Sequence, residues 1–170
     1  MNKNVSLFFN FFKHQRQLLL GITRYQWTKD KTQTLMLIPI GNDLYIHDKK
    51  ELRLLVNGSY QTPILDPKLS PDGKFVAYVQ DCELYCVSTT TASAKPRQLT
   101  FDARGQPNKT NGLAEFIAQE EMDRNDGFWW SDDSRFIAFT QVDESNVPSF
   151  RITHTGSEDP EHVKNSIFHF

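Results

Sequence analysis

The stretches Ser70–Gln80 (SPDGKFVAYVQ) and Ser131–Gln141 (SDDSRFIAFTQ) are two copies of one pattern within a chain of 170 residues. Each copy has Ser at its first position and Asp at its third, followed by a Phe, a β-branched residue, Ala and an aromatic residue. A turn sequence that leads into β-branched and aromatic residues is typical of a tight turn followed by a buried strand. The repeat therefore predicts a recurring turn-and-strand unit.

A weaker third copy begins at Thr28, so that the three copies start at Thr28, Ser70 and Ser131, at intervals of 42 and 61 residues. Further short strands are predicted at Thr34–Ile38, Asn42–Ile46, Leu54–Val56, Cys82–Val87 and Arg97–Thr100. Three or four strands in about 40 residues are typical of a β-propeller blade. The alternative is an antiparallel sandwich with fortuitous turn similarity, and the length of the repeat favours the propeller.

The predicted fold class is therefore mainly β, a partial β-propeller of about three blades. A ring closes with about four to eight blades. Three blades leave sheet edges and blade faces uncovered, so we expect the natural protein to be longer than this chain.

The second interval is 19 residues longer than the first, and the extra length lies between Phe101 and Asp126. Residues 102–109 have the composition of a loop. Residues 111–122 predict a short inserted helix, with Thr110 or Asn111 as its N-cap. Its predicted apolar face consists of Leu113, Phe116 and Ile117. Inserted elements of this kind often carry function.

Two adjacent acidic residues, Glu120 and Glu121, end the predicted helix. Acidic side chains near a helix C-terminus oppose the helix dipole by about 0.3–1 kcal/mol each. The ordinary interpretation is a solvated acidic helix end. The alternative is a functional one, because neighbouring helical side chains point about 100° apart and can flank a small cation from two sides.

The bulk properties exclude several function classes. A net charge of −2 excludes the electrostatic footprint of a nucleic-acid or anionic-membrane protein. The N-terminal apolar run Val5–Phe12 is short, is interrupted by Asn10 and has no small-x-small cleavage site after it. A cytoplasmic location is therefore predicted in preference to a periplasmic one. No segment approaches the roughly 20 apolar residues that span a bilayer, so no membrane partner is expected.

The two cysteines, Cys82 and Cys86, are predicted to be unpaired thiols. On a strand, their side chains would share a face about 13 Å apart, too far for a disulfide. No second cluster of metal ligands accompanies them, so no metal site is expected.

The run Asn111–Trp130 (NGLAEFIAQEEMDRNDGFWW), followed by Asp143–Pro148 (DESNVP), closely resembles the N-terminal propeller of the dipeptidyl peptidase IV family of serine peptidases. The segments Gly21–Trp27 (GITRYQW) and Asp66–Val79 (DPKLSPDGKFVAYV) fit the same family in the same order. The resemblance covers roughly residues 14 to 160. It implies that residues 1–170 are the N-terminal part of an eight-bladed propeller that lies over an α/β-hydrolase domain absent from this chain.

The resemblance also implies a function. Members of this family release X-Pro or X-Ala dipeptides from peptide N-termini, and a glutamate pair binds the substrate's α-amino group. Glu120 and Glu121 match that pair by position. Arg16, five residues before Gly21, matches the arginine that holds a substrate backbone carbonyl. The resemblance implies no cofactor, and it allows a homodimer of the full-length parent.

The catalytic residues of such a peptidase are not in this sequence. The family's nucleophilic serine lies in a Gly-x-Ser-x-Gly turn, which this chain lacks. Its histidines have no spacing suited to a triad or a metal. The chain alone is therefore expected to be inactive as a hydrolase, which leaves its own status as an enzyme open. The alternatives are a non-catalytic propeller module that binds proteins and a gene product without a stable fold.

Overall fold

The computed structural model describes residue 22 and residues 24–30, 34–154 and 164–169. Within these residues the chain is mainly β, as predicted. The elements are β1 (Gln26–Trp27), β2 (Met36–Ile40), β3 (Asp43–His47), β4 (Leu52–Val56), β5 (Leu65–Leu69), β6 (Phe75–Gln80), β7 (Glu83–Ser88), β8 (Arg97–Gln98), β9 (Lys109–Asn111), α1 (Phe116–Glu120), β10 (Phe128–Trp130), β11 (Ile137–Phe139), β12 (Gln141–Asp143), β13 (Ser149–His154) and β14 (Lys164–His169).

Two four-stranded antiparallel sheets account for the first eight strands. Strands β1 to β4 form one sheet in sequence order and β5 to β8 form the second, and we call them blade one and blade two. A sheet in which each strand pairs with the next is the form of a propeller blade. The ends of the predicted strands lie within two residues of the corresponding observed strands, whereas β1 and β5 were not predicted.

Strand β6 is buried on both of its faces, which explains its unbroken run of apolar residues. Val76 and Tyr78 pack into a core shared with blade one, whereas Ala77 and Val79 pack with Phe128 of β10 on the opposite side. A strand that is covered on both faces carries apolar residues at every position. Blade two therefore lies between two neighbouring sheets, which is the packing of consecutive propeller blades.

The repeated turn has the same hydrogen bonds in both strong copies. The Ser70 hydroxyl donates to Asp72 Oδ1 at 2.7 Å and accepts the Phe75 N–H at 3.0 Å. The corresponding bonds of the later copy, from Ser131 to Asp133 and from Phe136 to Ser131, measure 2.6 Å and 2.9 Å. The short Ser and Asp side chains satisfy backbone groups that the turn leaves unpaired, which is why these positions recur.

Strands β9 to β12 form a third unit, which we call blade three, and it consists of two short ladders. Strand β10 pairs with β11, and β9 pairs with β12, both antiparallel. The registers Phe128↔Phe139 and Asn111↔Gln141 place Thr140 between the two ladders. The chain between β9 and β10 therefore leaves the sheet and returns to it beside the same residue, Thr140. The extra length of the third repeat consists of this excursion and the loop that precedes β9.

Strands β13 and β14 form a separate antiparallel pair that runs from Ser149↔His169 to His154↔Lys164. None of the helices in the described part of the chain has the length and apolar character needed to cross a membrane. Both cysteines are free. Cys82, however, lies in the turn before β7 with φ of 63°, so the strand predicted to include it begins one residue later.

Candidate functional site

An arm that runs from Leu113 to Asp126 carries helix α1 outward from blade three. These two residues form an isolated antiparallel bridge that closes the base of the arm. Thr140 holds both sides of this base, because its C=O accepts the Gly112 N–H and its N–H donates to the Gly127 C=O, each at 2.9 Å. The direction of the arm is therefore set by the sheet of blade three.

The two glycines at the base of the arm are required by close packing. Gly112 has φ of +81°, and a Cβ there would lie 2.8 Å from Leu84 Cγ. A Cβ on Gly127 would lie 2.4 Å from the backbone of Leu113. Real Cβ atoms do not approach other atoms so closely, and only glycine adopts such a φ without strain. The base of the arm can therefore be built only with glycine at these positions.

Helix α1 is shorter than the predicted helix of residues 111–122. Its N-cap is Glu115, which makes no side-chain capping hydrogen bond, and its last residue is Glu120. The predicted N-cap at Thr110 or Asn111 is wrong, because both residues lie in β9 and pair with β12. The left-handed backbone of Gly112 prevents a helix from starting there.

The predicted apolar face of the helix is also wrong in part. Leu113 lies at the base of the arm and outside the helix. Phe116 and Ile117 are 37% and 36% exposed, whereas Ala118 is the buried residue of the helix. The one buried side chain of helix α1 is therefore a small one.

Both glutamates of the predicted pair lie at the C-terminal end of α1. Glu120 is the last helical residue, and Glu121 is the C-cap, with its N–H donating to the Ile117 C=O at 2.9 Å. Both side chains are exposed. Within the part of the chain that the structure describes, neither carboxylate forms an ion pair, and the last turn contains no basic residue. Two negative charges therefore add to the negative end of the helix dipole, an arrangement that attracts a cation.

Arg124 joins the start of the helical segment to the base of the arm. Its Nη2 lies 3.0 Å from Glu115 Oε2, and its Nη1 donates to the Asp126 C=O at 2.9 Å. Its backbone N–H donates to the Ala118 C=O at 2.8 Å. The chain reverses at Asp123, which has φ of 51°. These bonds close the arm into a loop.

Lys68 of β5 connects the base of the arm to blade two. Its Nζ lies 2.7 Å from Asp126 Oδ1 and 2.8 Å from Asp66 Oδ2, and it donates to the Phe128 C=O at 2.7 Å. Burial raises the pKa of the Asp66 carboxyl, although the neighbouring Lys68 ammonium opposes that shift. One lysine thus pairs with two carboxylates at the junction of two blades.

A buried carboxylate, Glu83, holds the strand that leads into the arm. It accepts hydrogen bonds from the Thr100 hydroxyl, from the Ala103 and Arg104 N–H groups at 2.6 and 2.9 Å, and from Asn111 Nδ2 at 3.0 Å. Burial alone raises the pKa of Glu83, but these donors together lower it below its ordinary value. Glu83 and Asn111 are both fully buried.

Asp102 extends this network to the surface. Its carboxylate accepts from Asn111 Nδ2 at 2.7 Å and from Gln141 Nε2 at 2.9 Å, and it pairs with Lys109 Nζ at 2.7 Å. The hydrogen bonds from Lys109, Asn111 and Gln141 lower the pKa of Asp102 to about 2. The network therefore ties the loop before β9 to strands β9 and β12.

Two of the three predicted site residues lie within the described part of the chain. Glu120 and Glu121 lie together on the arm, whereas Arg16 lies outside the described residues. Sequence reasoning missed the supporting residues, which are Lys68, Glu83, Asp102, Asn111 and Arg124. The one sequence signal for these residues was Glu83, a charged residue at an inward position of a strand, which indicates a buried carboxylate with hydrogen-bond partners. Among the residues that the structure describes, no group of three or more His, Cys, Asp or Glu side chains is arranged to hold a metal ion.

Comparison with known proteins agrees with this architecture. Residues 14–169 match the family model described as "Dipeptidyl peptidase IV (DPP IV) N-terminal region". A probable dipeptidyl-aminopeptidase B of Penicillium rubens is 31% identical over 102 residues, which are 56% of this chain and 11% of that protein. The human prolyl endopeptidase FAP is 28% identical over 116 residues, which are 67% of this chain and 15% of that protein.

The crystal structure of Porphyromonas gingivalis dipeptidyl peptidase 4 has the same fold, with a TM-score of 0.67 over 89% of this chain and 22% of that one. At 22% sequence identity this likeness bears on the fold alone. The fold is thus that of part of a β-propeller. The chain belongs to the dipeptidyl peptidase IV family and corresponds to its N-terminal region. It spans 11% and 15% of the lengths of the two curated relatives described above.

Proposed function

We propose that this chain is the substrate-binding part of a serine exopeptidase that releases X-Pro and X-Ala dipeptides, and that Glu120 and Glu121 bind the substrate's α-amino group. The observation that carries the proposal is the position of two exposed neighbouring carboxylates at the end of an arm that is held at its base. Relatives named as probable dipeptidyl-aminopeptidases support the release of dipeptides.

The chemistry of the pair suits a peptide N-terminus. An α-amino group is largely protonated near neutral pH and has three N–H donors, whereas a carboxylate only accepts. Charge-assisted hydrogen bonds between such groups are roughly twice as strong as neutral ones. Because consecutive helical side chains point about 100° apart, Glu120 and Glu121 can approach one ammonium from two sides. The C-terminal dipole of α1 adds to the attraction.

Anchoring the amino group would also determine where the substrate is cut. A fixed distance between this anchor and a nucleophile admits two residues and rejects longer acyl segments. In this proposal Arg16 holds a backbone carbonyl of the same substrate. The nucleophile belongs to an α/β-hydrolase domain outside this chain, which is the protein partner that the activity needs.

Steady-state kinetics of the full-length enzyme containing this chain test the proposal, with glycyl-prolyl-p-nitroanilide as substrate. We expect Glu120→Gln and Glu121→Gln each to raise KM by about tenfold or more, because they remove a charge at the ammonium without changing the size of the side chain. Glu51→Gln is the matched control, since Glu51 is an exposed glutamate of blade one. KM values within twofold of the wild type for both glutamine variants would show that the pair does not bind the amine.

A further inference from the structure

We propose that Arg124 is a positioning residue for Glu120 and Glu121, and that it holds helix α1 in the orientation in which both carboxylates reach one ammonium group. This inference rests on the proposed function. Arg124 does not itself touch the substrate in this proposal. It acts through its contacts to the start of the helical segment, to a carbonyl within the helix and to the base of the arm.

Helix α1 needs such support because it is too short to be stable alone. Isolated helices of fewer than about 12 residues are marginal in water, and α1 has five residues. Its N-cap Glu115 makes no side-chain capping bond, and its two C-terminal glutamates oppose the dipole. Ala118 is its one buried residue. Contacts from outside the helix must therefore determine its orientation.

The contacts of Arg124 provide that orientation. The guanidinium holds Glu115 Oε2 at 3.0 Å, immediately before the helix, and the Asp126 C=O at 2.9 Å, at the base of the arm. The Arg124 N–H donates to the Ala118 C=O at 2.8 Å, three residues before Glu121. A planar guanidinium with several fixed donors can join such groups in a defined geometry, which a lysine ammonium does less well.

Asp126, the residue at the base of the arm that Arg124 contacts, is itself held in place. The Asp126 C=O accepts a hydrogen bond from Arg124, and the Asp126 Oδ1 lies 2.7 Å from Lys68 Nζ. Lys68 also lies 2.8 Å from Asp66 Oδ2, and its side chain is 15% exposed. The helix is thus connected through Arg124 and Asp126 to a partly buried lysine of blade two.

Arg124 also distinguishes among the acidic residues of the arm. It pairs with Glu115, and both side chains are about one-third exposed. Glu120 and Glu121 have no ion-pair partner within the described residues. With Arg124 in place, the Glu115 carboxylate is paired, and the Glu120 and Glu121 carboxylates remain unpaired and available to a cation. Without it, Glu115 becomes a competing negative charge near the wrong end of the helix.

The test compares Arg124→Ala, Arg124→Lys and Arg124→Gln in the full-length enzyme with glycyl-prolyl-p-nitroanilide. We expect Arg124→Ala and Arg124→Gln to raise KM about tenfold with kcat within about threefold, because the lost interaction stabilises the ground and transition states alike. Arg124→Lys should recover part of the loss. Arg135→Ala is the matched control, since Arg135 is an exposed arginine that lies over Phe136 in blade three, and its KM should equal that of the wild type.

Two outcomes separate this inference from the proposed function. If Glu120→Gln and Glu121→Gln raise KM while Arg124→Ala and Arg124→Gln leave it unchanged, the positioning role is wrong and the amine site stands. If neither glutamate variant changes KM, both proposals are wrong. Should the Arg124 variants fail to fold, Glu115→Gln breaks the same ion pair from the other side. It should raise KM severalfold, and a wild-type KM for Glu115→Gln would overturn the inference.

Discussion

The backbone N–H of Asp72 donates a hydrogen bond to the Ser134 hydroxyl oxygen, 3.0 Å away and 62 positions later in the sequence. These residues occupy neighbouring positions in the two strong copies of the repeat, so the turn of blade two is bonded to the turn of blade three. A similar contact joins the first two copies, because the Asp30 N–H donates to the Pro71 C=O at 3.3 Å. The repeated turns therefore connect the blades as well as shape them.

Two substitutions of Ser134 separate the effect of backbone strain on stability from that of the hydrogen bond to the Asp72 N–H. Ser134 has φ of 61°, as Gly73 has φ of 75° at the same position of the earlier copy. Ser134→Ala removes the acceptor and keeps the strain, so we expect a loss of about 1 kcal/mol in the free energy of unfolding. Ser134→Gly removes the acceptor but relieves a strain of about 1 kcal/mol, so its stability should be close to that of the wild type. Urea unfolding measures both. If Ser134→Gly were more stable than the wild type by about 1 kcal/mol, the hydrogen bond would contribute nothing.

Substitution of Gly112 tests the packing at the base of the arm. Gly112 and Gly105 both have positive φ, of 81° and 77°. A Cβ would lie 2.8 Å from Leu84 Cγ at the first position and would meet nothing within 4 Å at the second. We expect Gly105→Ala to cost about 1 kcal/mol through backbone strain, and Gly112→Ala to cost about 2–4 kcal/mol because it also overpacks the core. Equal losses for the two variants in urea unfolding would contradict the close contact with Leu84.

The Asp102 network predicts a dependence of stability on pH. Its folded pKa of about 2 lies below the ordinary value of 3.8, so the ionised form is favoured in the folded state. The stabilisation is complete above pH 3.8 and is lost as the pH falls toward 2. We expect Asp102→Asn to be less stable than the wild type at pH 6, with the difference decreasing below pH 4. Urea unfolding from pH 6 to pH 3 measures this difference, and Asp132→Asn, at a fully exposed aspartate, is the control. A difference for Asp102→Asn that did not change with pH would exclude the predicted linkage.

The strands were predictable because their signals are local. The run Phe75–Gln80 follows a turn, and its first five residues are apolar. In the structure it is β6, which is buried on both faces. Asp72 and Asp133 accept backbone N–H groups in the same way in the two copies, at 3.1 Å in each. A turn of this kind depends on a few adjacent residues, so it can be read from the sequence without knowledge of the rest of the fold.

The start of the inserted helix was not predictable in this way. Thr110 and Asn111 precede an amphipathic run and have the chemistry of N-caps. In the structure the Asn111 amide is buried between Glu83 and Asp102, and the next residue, Gly112, turns back to pair with Thr140. Partners 9 to 30 positions away along the chain compete with the local capping preference. Their hydrogen bonds decide the outcome, because a buried amide cannot be left unpaired.

The residue pattern alone was enough to predict the repeated turn and strand, the three successive blade units and the position of Glu120 and Glu121 within an insertion. Those features depend on residue type and on spacing along the chain. The folded structure was needed to show where the helix begins, how Thr140 closes the base of the arm, and which cations lie beside Asp126 and Glu115. These contacts join distant segments, and their energies depend on burial and on distances between atoms, which the order of residues does not state.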